Sequence, residues 1–233
     1  MISLLVALTL TPMLSPKGRL VGDFTIACLR DEHYLLTASY AAQNFHMRWF
    51  EDHLPDSGVE VRNMSLRRIG FQIAGPRARE LLARVTRTDV SNEALPFLVV
   101  REMEVGLAPA IVCRVTYTGD LGYEIYVAPR HQIALYEALR EAGEPLGLRP
   151  FGMRAMMSLR LEKSFGAWLR EYRPDYTAAE TGLDRFIDFT KNDFIGRDAA
   201  MAERDQPPER RLCAFVVDAD DADVWGEIGR AHV

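Results

Sequence analysis

Apolar residues recur along this chain in two rhythms, a period of two and a period near 3.6, and the changes between them predict its elements. Residues 19–29 and 34–39 are apolar, β-rich runs around the polar break Arg30-Asp31-Glu32, the pattern of a hairpin. Residues 41–54 carry Phe45, Trp49 and Phe50 near helical spacing and stop before Pro55. Residues 59–64 and 69–74 read as strands. Gly75-Pro76 then opens a helix over 77–85, with the proline in the first turn, where its missing N–H costs little. A second strand pair follows at 101–105 and 110–117, then the turn Thr118-Gly119-Asp120-Leu121-Gly122 and a strand at 123–127. Helices are predicted over 132–141, 151–163 and 198–204, and strands over 186–189 and 211–217. The stretch up to Tyr176 is aromatic and irregular. This β-β-α-β-β-α order predicts an α+β domain, antiparallel sheets covered by helices.

The first fourteen residues, MISLLVALTLTPML, lack a basic leader and a small-residue cleavage site, and they are too short to span a bilayer. A strand separated from upstream partners is the reading they favour. Gln206-Pro207-Pro208-Glu209 breaks any helix and marks a boundary. The expected organisation is one domain over 1–205 and the start of a C-terminal barrel over 206–227. Ile228 to Val233 read as translated sequencing adapter, so the chain is expected to be clipped at both ends.

Composition narrows the function classes. With 48% hydrophobic and 26% charged residues in 233, the chain is an ordinary globular sequence. A net charge of −5 without a basic stripe argues against nucleic acid as a partner. Cys28, Cys113 and Cys213 are scattered in apolar, strand-like contexts, which predicts buried thiols in a reducing, cytoplasmic setting. His46 and His53 could share a helix face, but no histidine has ligand spacing, so no metal site is expected. Neither a membrane nor a nucleic acid is an expected partner.

No dinucleotide, P-loop, nucleophile-elbow or zincin motif occurs. The informative stretch is Val115-Thr116-Tyr117-Thr118-Gly119-Asp120-Leu121-Gly122-Tyr123-Glu124-Ile125, a glycine-flanked turn with Tyr117 and Glu124 at its edges. An aromatic face beside a strand carboxylate suits a flat heterocycle with a donor-rich edge. A plain hairpin with a surface Glu and a packing Tyr has the same pattern.

That turn resembles the signature of the glycine-cleavage T-protein family, and four further landmarks agree in order. They are Thr11-Pro12-Met13-Leu14 with Gly18-Arg19-Leu20-Val21-Gly22-Asp23-Phe24-Thr25, Ala74-Gly75-Pro76-Arg77-Ala78-Arg79-Glu80-Leu81-Leu82, Ser158-Leu159-Arg160-Leu161-Glu162-Lys163, and Asp193-Phe194-Ile195-Gly196-Arg197-Asp198-Ala199. The Leu-Glu-Lys wording and Trp168 look closer to the branch fused to dimethylglycine and sarcosine dehydrogenases. The resemblance implies a tetrahydrofolate-binding fold that takes a one-carbon unit from an iminium and yields 5,10-methylenetetrahydrofolate. It implies Tyr117 and Glu124 on the pterin and Asp23 as the acid near the reacting nitrogens. FAD would belong to a separate upstream domain. T-proteins often have two adjacent acids where this chain has Gly22-Asp23, and Arg-Asp where it has Met156-Met157. Arg154 and Arg160 are the candidates to grip the folate tail in place of that arginine, or else are solvated helix charges. The alternatives are a stand-alone T-protein or folate-dependent demethylase, and a non-catalytic folate-binding protein.

Overall fold

The computed structural model describes residues 6–206, 208–216 and 218; the adapter-like segment, Pro207 and Val217 lie outside the described residues. The first strand, β1 (Val6–Leu14), turns back at Ser15 into β2 (Leu20–Arg30). Arg19 N–H donates to the Ser15 side chain at 3.2 Å to close that turn. β3 (His33–Thr37) completes the hairpin expected at Arg30-Asp31-Glu32. After a single 3-10 turn, α1 (Gln43–His53) ends before Pro55, as its aromatic spacing predicts.

β4 (Ile69–Ala74), α2 (Ala78–Val85), β5 (Val99–Val105), β6 (Ala108–Cys113) and β7 (Gly122–Val127) follow, then α3 (Gln132–Gly143) and α4 (Met153–Glu162). Two short helices, α5 (Ala178–Thr181) and α6 (Arg197–Asp205), close the described chain. The helix after Gly75-Pro76 begins slightly later than expected, with Arg77 as its cap and Pro76 just outside it.

All pairings are antiparallel and give the order β3-β2-β1-β5-β6-β7-β4. β1 has neighbours on both sides among the described strands. It pairs with β2 from Leu8 to Leu14 and touches β5 through Val6↔Val100 and Ala7↔Val99. This two-residue seam joins a three-stranded and a four-stranded unit.

Alternation along the strands divides the interior in two. Ile73, Val105, Val112, Tyr123, Ile125 and Val127 point to one face, where α2 and α3 cover them with Leu81, Leu82 and Leu135. On the opposite face Leu8, Ala27, Val100, Ile111 and Cys113 form a second cluster, with Leu29, Val115 and Tyr126 against it. A third cluster joins Leu14 and Leu20 to Trp168, Tyr172, Leu183 and Ala200, and ties the irregular aromatic stretch to the β1–β2 turn.

Three predicted strands are absent. Residues 59–64 form none: Val59 is 57% exposed, and Arg62 pairs locally with Glu60 at 2.5 Å. With no neighbouring ladder, the alternation of Val59 and Val61 buries nothing. Residues 186–189 instead leave a 3-10 turn, and the Asp188 carboxylate accepts from the N–H and hydroxyl of Thr190, fixing a turn. Residues 211–216 run without a ladder, and Leu212 N–H donates to Glu180 O at 2.7 Å. Cys213 is consequently exposed, against expectation, whereas Cys113 is buried and Cys28 half-buried. Among the described residues no helix is long and apolar enough to cross a membrane.

Candidate functional site

The turn between β6 and β7 is shaped by its glycines. A Cβ on Gly122 would run into the Ile73 carbonyl and the Thr116 methyl, so only glycine lets β7 lie this close to β4. Thr116 Oγ1 donates to Asp120 O at 2.8 Å across the turn. Gly119 takes φ 74°, the left-handed conformation that side chains resist.

Tyr117 projects from this turn toward the segment after α4. Its hydroxyl donates to Gly166 O at 2.7 Å, and its ring lies nearly parallel to Phe165, with centroids 6.5 Å apart. Burial pushes the Tyr117 hydroxyl up to about 12, with the charge of Arg160 opposing and those of Asp23 and Glu171 adding to it. Asp23 and Tyr117 are thus electrostatic neighbours, although 94 positions separate them in sequence (117 − 23).

Asp23 sits mid-strand in β2, opposite Pro12 of β1. Alternation places it on the face of Ala27 and Leu29, which pack with Cys113, Val115 and Tyr126. Burial raises its carboxyl to about 6, against an ordinary value of 3.8, and its own backbone N–H only partly offsets this. Among the described residues it forms no ion pair. Gly22 beside it, where the family often has a second acid, has a steric cause. A Cβ there would fall 2.5 Å from Phe24 Cε2 and 2.7 Å from His46 Nε2. Gly22→Ala is expected to destabilise the fold by about 1–3 kcal/mol through overpacking, readable in a urea melt. An unchanged midpoint would show that the two rings yield.

His46 is buried, its Nε2 3.0 Å from Val21 O, and burial holds its pKa below the ordinary value. His53 stacks on Trp49 instead of joining it. No cluster of three or more His, Cys, Asp or Glu able to hold a metal exists among the described residues.

Glu124 lies in β7 on the same side as Tyr126, opposite Cys113 of β6 and Gln72 of β4. Its Oε2 accepts from the Tyr126 hydroxyl at 2.6 Å, and burial raises its pKa despite that bond. The same burial, with Glu124 nearby, lifts the Cys113 thiol to about 12 and leaves it inert. The side of the sheet that carries Glu124 and Tyr126 is the side on which Ala27 and Leu29 of β2 pack, the face to which alternation also assigns Asp23.

The two arginines part company. Arg154 is exposed in the first turn of α4. Arg160 is only 2% exposed and is committed internally, donating to Phe165 O at 2.8 Å and Glu171 Oε2 at 2.7 Å. A guanidinium so engaged braces the Phe165–Tyr172 segment and is not disposed as a grip on a ligand tail. Sequence reasoning missed Tyr126, Glu171 and Gln72. The signal for Gln72 was present: it is the single polar side chain in Ile69–Ala74.

The profile described as the GCVT N-terminal domain matches residues 6–191. The chain belongs to that family. It is an aminomethyltransferase-like GCVT domain, 35% identical over 217 residues to human mitochondrial dimethylglycine dehydrogenase, covering 92% of this chain and 25% of that one. It is 31% identical over 205 residues to an aminomethyltransferase of Thermoanaerobacter pseudethanolicus, covering 88% of this chain and 55% of the other. It therefore spans about a quarter to a half of the length of these relatives. The crystal structure of glycine cleavage system aminomethyltransferase T from Bartonella henselae matches the fold with a TM-score of 0.76 at 21% identity, over 87% of this chain and 54% of that one. The α+β, antiparallel GCVT architecture expected from the sequence is thereby borne out.

Proposed function

We propose that this GCVT domain captures a one-carbon unit on tetrahydrofolate from an iminium derived from dimethylglycine or sarcosine, giving 5,10-methylenetetrahydrofolate and the demethylated amine. The observation that carries the reading is that two carboxylates assigned to the same side of the sheet, Asp23 and Glu124, are each desolvated, with no ion pair to either among the described residues. A carboxylate in low dielectric without a cation is costly unless a ligand brings the compensating charge or donors. A cationic iminium brings charge to Asp23; a pterin brings N–H donors to Glu124. The donor set present therefore fits folate.

Tetrahydrofolate, when bound, supplies the nitrogens that accept the carbon. Asp23 stabilises the cation electrostatically, and its pKa near 6 suits it to hold a proton released at the attacking nitrogen. Glu124 Oε2, held by Tyr126, fixes the carboxylate's orientation toward the ring. Tyr117 offers its aromatic face, anchored through Gly166 O. Arg154 remains the candidate for the ligand's carboxylate tail. In this reading any FAD that makes the iminium belongs to a separate flavin domain, and the setting is cytoplasmic, or mitochondrial as for human dimethylglycine dehydrogenase.

Calorimetric titration with 5-formyltetrahydrofolate tests the proposal, with circular dichroism on the same sample to establish folding. Saturable binding is expected, weakened about tenfold to a hundredfold in Glu124→Ala through loss of a charge-assisted pair. A folded protein that binds no folate would count against the reading.

A further inference from the structure

We infer that Gln72 is a specificity residue of the same site, reading the ring's 4-oxo group beside Glu124. The inference rests on the folate reading above and adds a residue to it.

The geometry begins with register. In the β4–β7 pair, Ile73↔Tyr123 and Phe71↔Ile125 point into the helix-covered core, so the intervening pair Gln72↔Glu124 points to the opposite face. Gly70↔Tyr126 confirms the side, because a Cβ on Gly70 would meet the Tyr126 ring at 3.2 Å. Gln72 and Glu124 are thus cross-strand neighbours, with Tyr126 diagonal to them.

The second observation is chemical. Gln72 Nε2 is buried and has no hydrogen-bond partner among the described residues. A buried amide donor left unpaired costs free energy comparable to a lost hydrogen bond, and most such groups have partners. Nothing in the packing requires a glutamine here. β4 is an edge strand whose other side chains are apolar, and a Leu would fill the same volume without that cost. Meanwhile Glu124 has one oxygen tied to the Tyr126 hydroxyl, and no bond to the other occurs among the described residues. Side by side, the pair presents two acceptor positions and then a donor.

The 2-amino-4-oxo edge of a pterin presents the complement: an exocyclic N–H, a ring N–H and a carbonyl oxygen in a row. Glu124 accepts the first two and Gln72 donates to the third. A buried polar group aimed at one ligand atom discriminates strongly against a ligand that lacks the matching group, since the site's own group is then stranded.

The test is a binding preference and needs no turnover. Folic acid and aminopterin differ at the ring's 4-position, oxo against amino, which also removes the neighbouring ring N–H, and are titrated calorimetrically into wild type, Gln72→Leu and Gln72→Glu. Wild type is expected to favour folic acid by at least about tenfold. Gln72→Leu should weaken folic acid by about tenfold and narrow the preference to the part that Glu124 draws from the ring N–H, and Gln72→Glu, an acceptor for the 4-amino group, should shift it further toward aminopterin. A preference that is the same in all three proteins would overturn the role of Gln72, even where Glu124→Ala weakens binding and so upholds the folate reading. Failure of folded wild type to bind 5-formyltetrahydrofolate, folic acid or aminopterin would overturn both.

Discussion

Asp23→Asn is expected to make the protein more stable at pH 7.5 while lowering one-carbon transfer by about a hundredfold or more, the usual range for losing an acid–base group. The two effects share a cause. Burial holds the Asp23 carboxyl at about 6, whereas the unfolded chain ionises it near 3.8. The folded state therefore favours the protonated form, and above pH 6 the ionised form must be kept in a desolvated position. Keeping it there costs up to about 3 kcal/mol, reduced to about 1–2 kcal/mol by the solvent that still reaches a half-buried side chain. Asparagine removes that cost and keeps the shape. The gain should be full above pH 6, shrink as the wild-type carboxyl takes its proton between pH 6 and 4, and vanish below that. Denaturant melts of both proteins at pH 7.5, 5.5 and 4 read this out. A variant less stable than wild type at pH 7.5 would show that Asp23 is held by interactions that favour its charge, which would remove the physical basis for its role.

Much of the scaffold carrying this residue was legible in the sequence, because it depends on local rules. The hairpin at Arg30-Asp31-Glu32, the α1 stop before Pro55 and the glycine-flanked turn before Tyr123 each follow from period, proline or turn chemistry within a few residues. The false strands show the limit. Residues 59–64 and 211–216 have the right alternation, but a strand exists only where a neighbour offers a ladder, and pairing is a long-range property. The candidate site divides in the same way. Asp23, Tyr117 and Glu124 carry motif wording, and the fold sets Tyr117 within reach of Asp23's charge. Gln72 meets Glu124 only through the register of β4 on β7, strands separated by 47 intervening positions (122 − 74 − 1). That register cannot be read from either strand alone. Arg160 shows the converse. Its sequence context suggested a ligand grip, but the partner that engages it, Glu171, belongs to a stretch with no periodicity at all.

Arg160→Met is expected to cost about 3–5 kcal/mol of stability, the range for breaking a buried pair from one side. The size follows from what Arg160 satisfies. Its side chain is 3% exposed and that of Glu171 24%, so the carboxylate left behind would be partly desolvated and without its cation. Burial alone would raise the Glu171 pKa, yet hydrogen bonds from Arg160 and from Ala167 N–H hold it below the ordinary carboxylate range. A depressed folded-state pKa means that the stabilisation is present above the ordinary value of 4.5 and fades as pH falls through the folded value. The difference between Arg160→Met and wild type should therefore be largest near neutrality and narrow in acid. Arg160→Lys should fall between the two, since an ammonium restores the charge but sits on a shorter stem and must reach both Phe165 O and Glu171 from where Nη1 now donates to them. The loss should also reach the site, because the same guanidinium fixes the segment whose Gly166 O anchors the Tyr117 hydroxyl. Urea melts at pH 7.5 and about pH 3, with intrinsic tyrosine and tryptophan fluorescence as the probe, measure the stability difference, and folate titration measures the loss at the site. If Arg160→Met melted with wild type but bound folate more weakly, the guanidinium would be a grip on the ligand's tail after all, and the ion pair with Glu171 would contribute nothing to the fold.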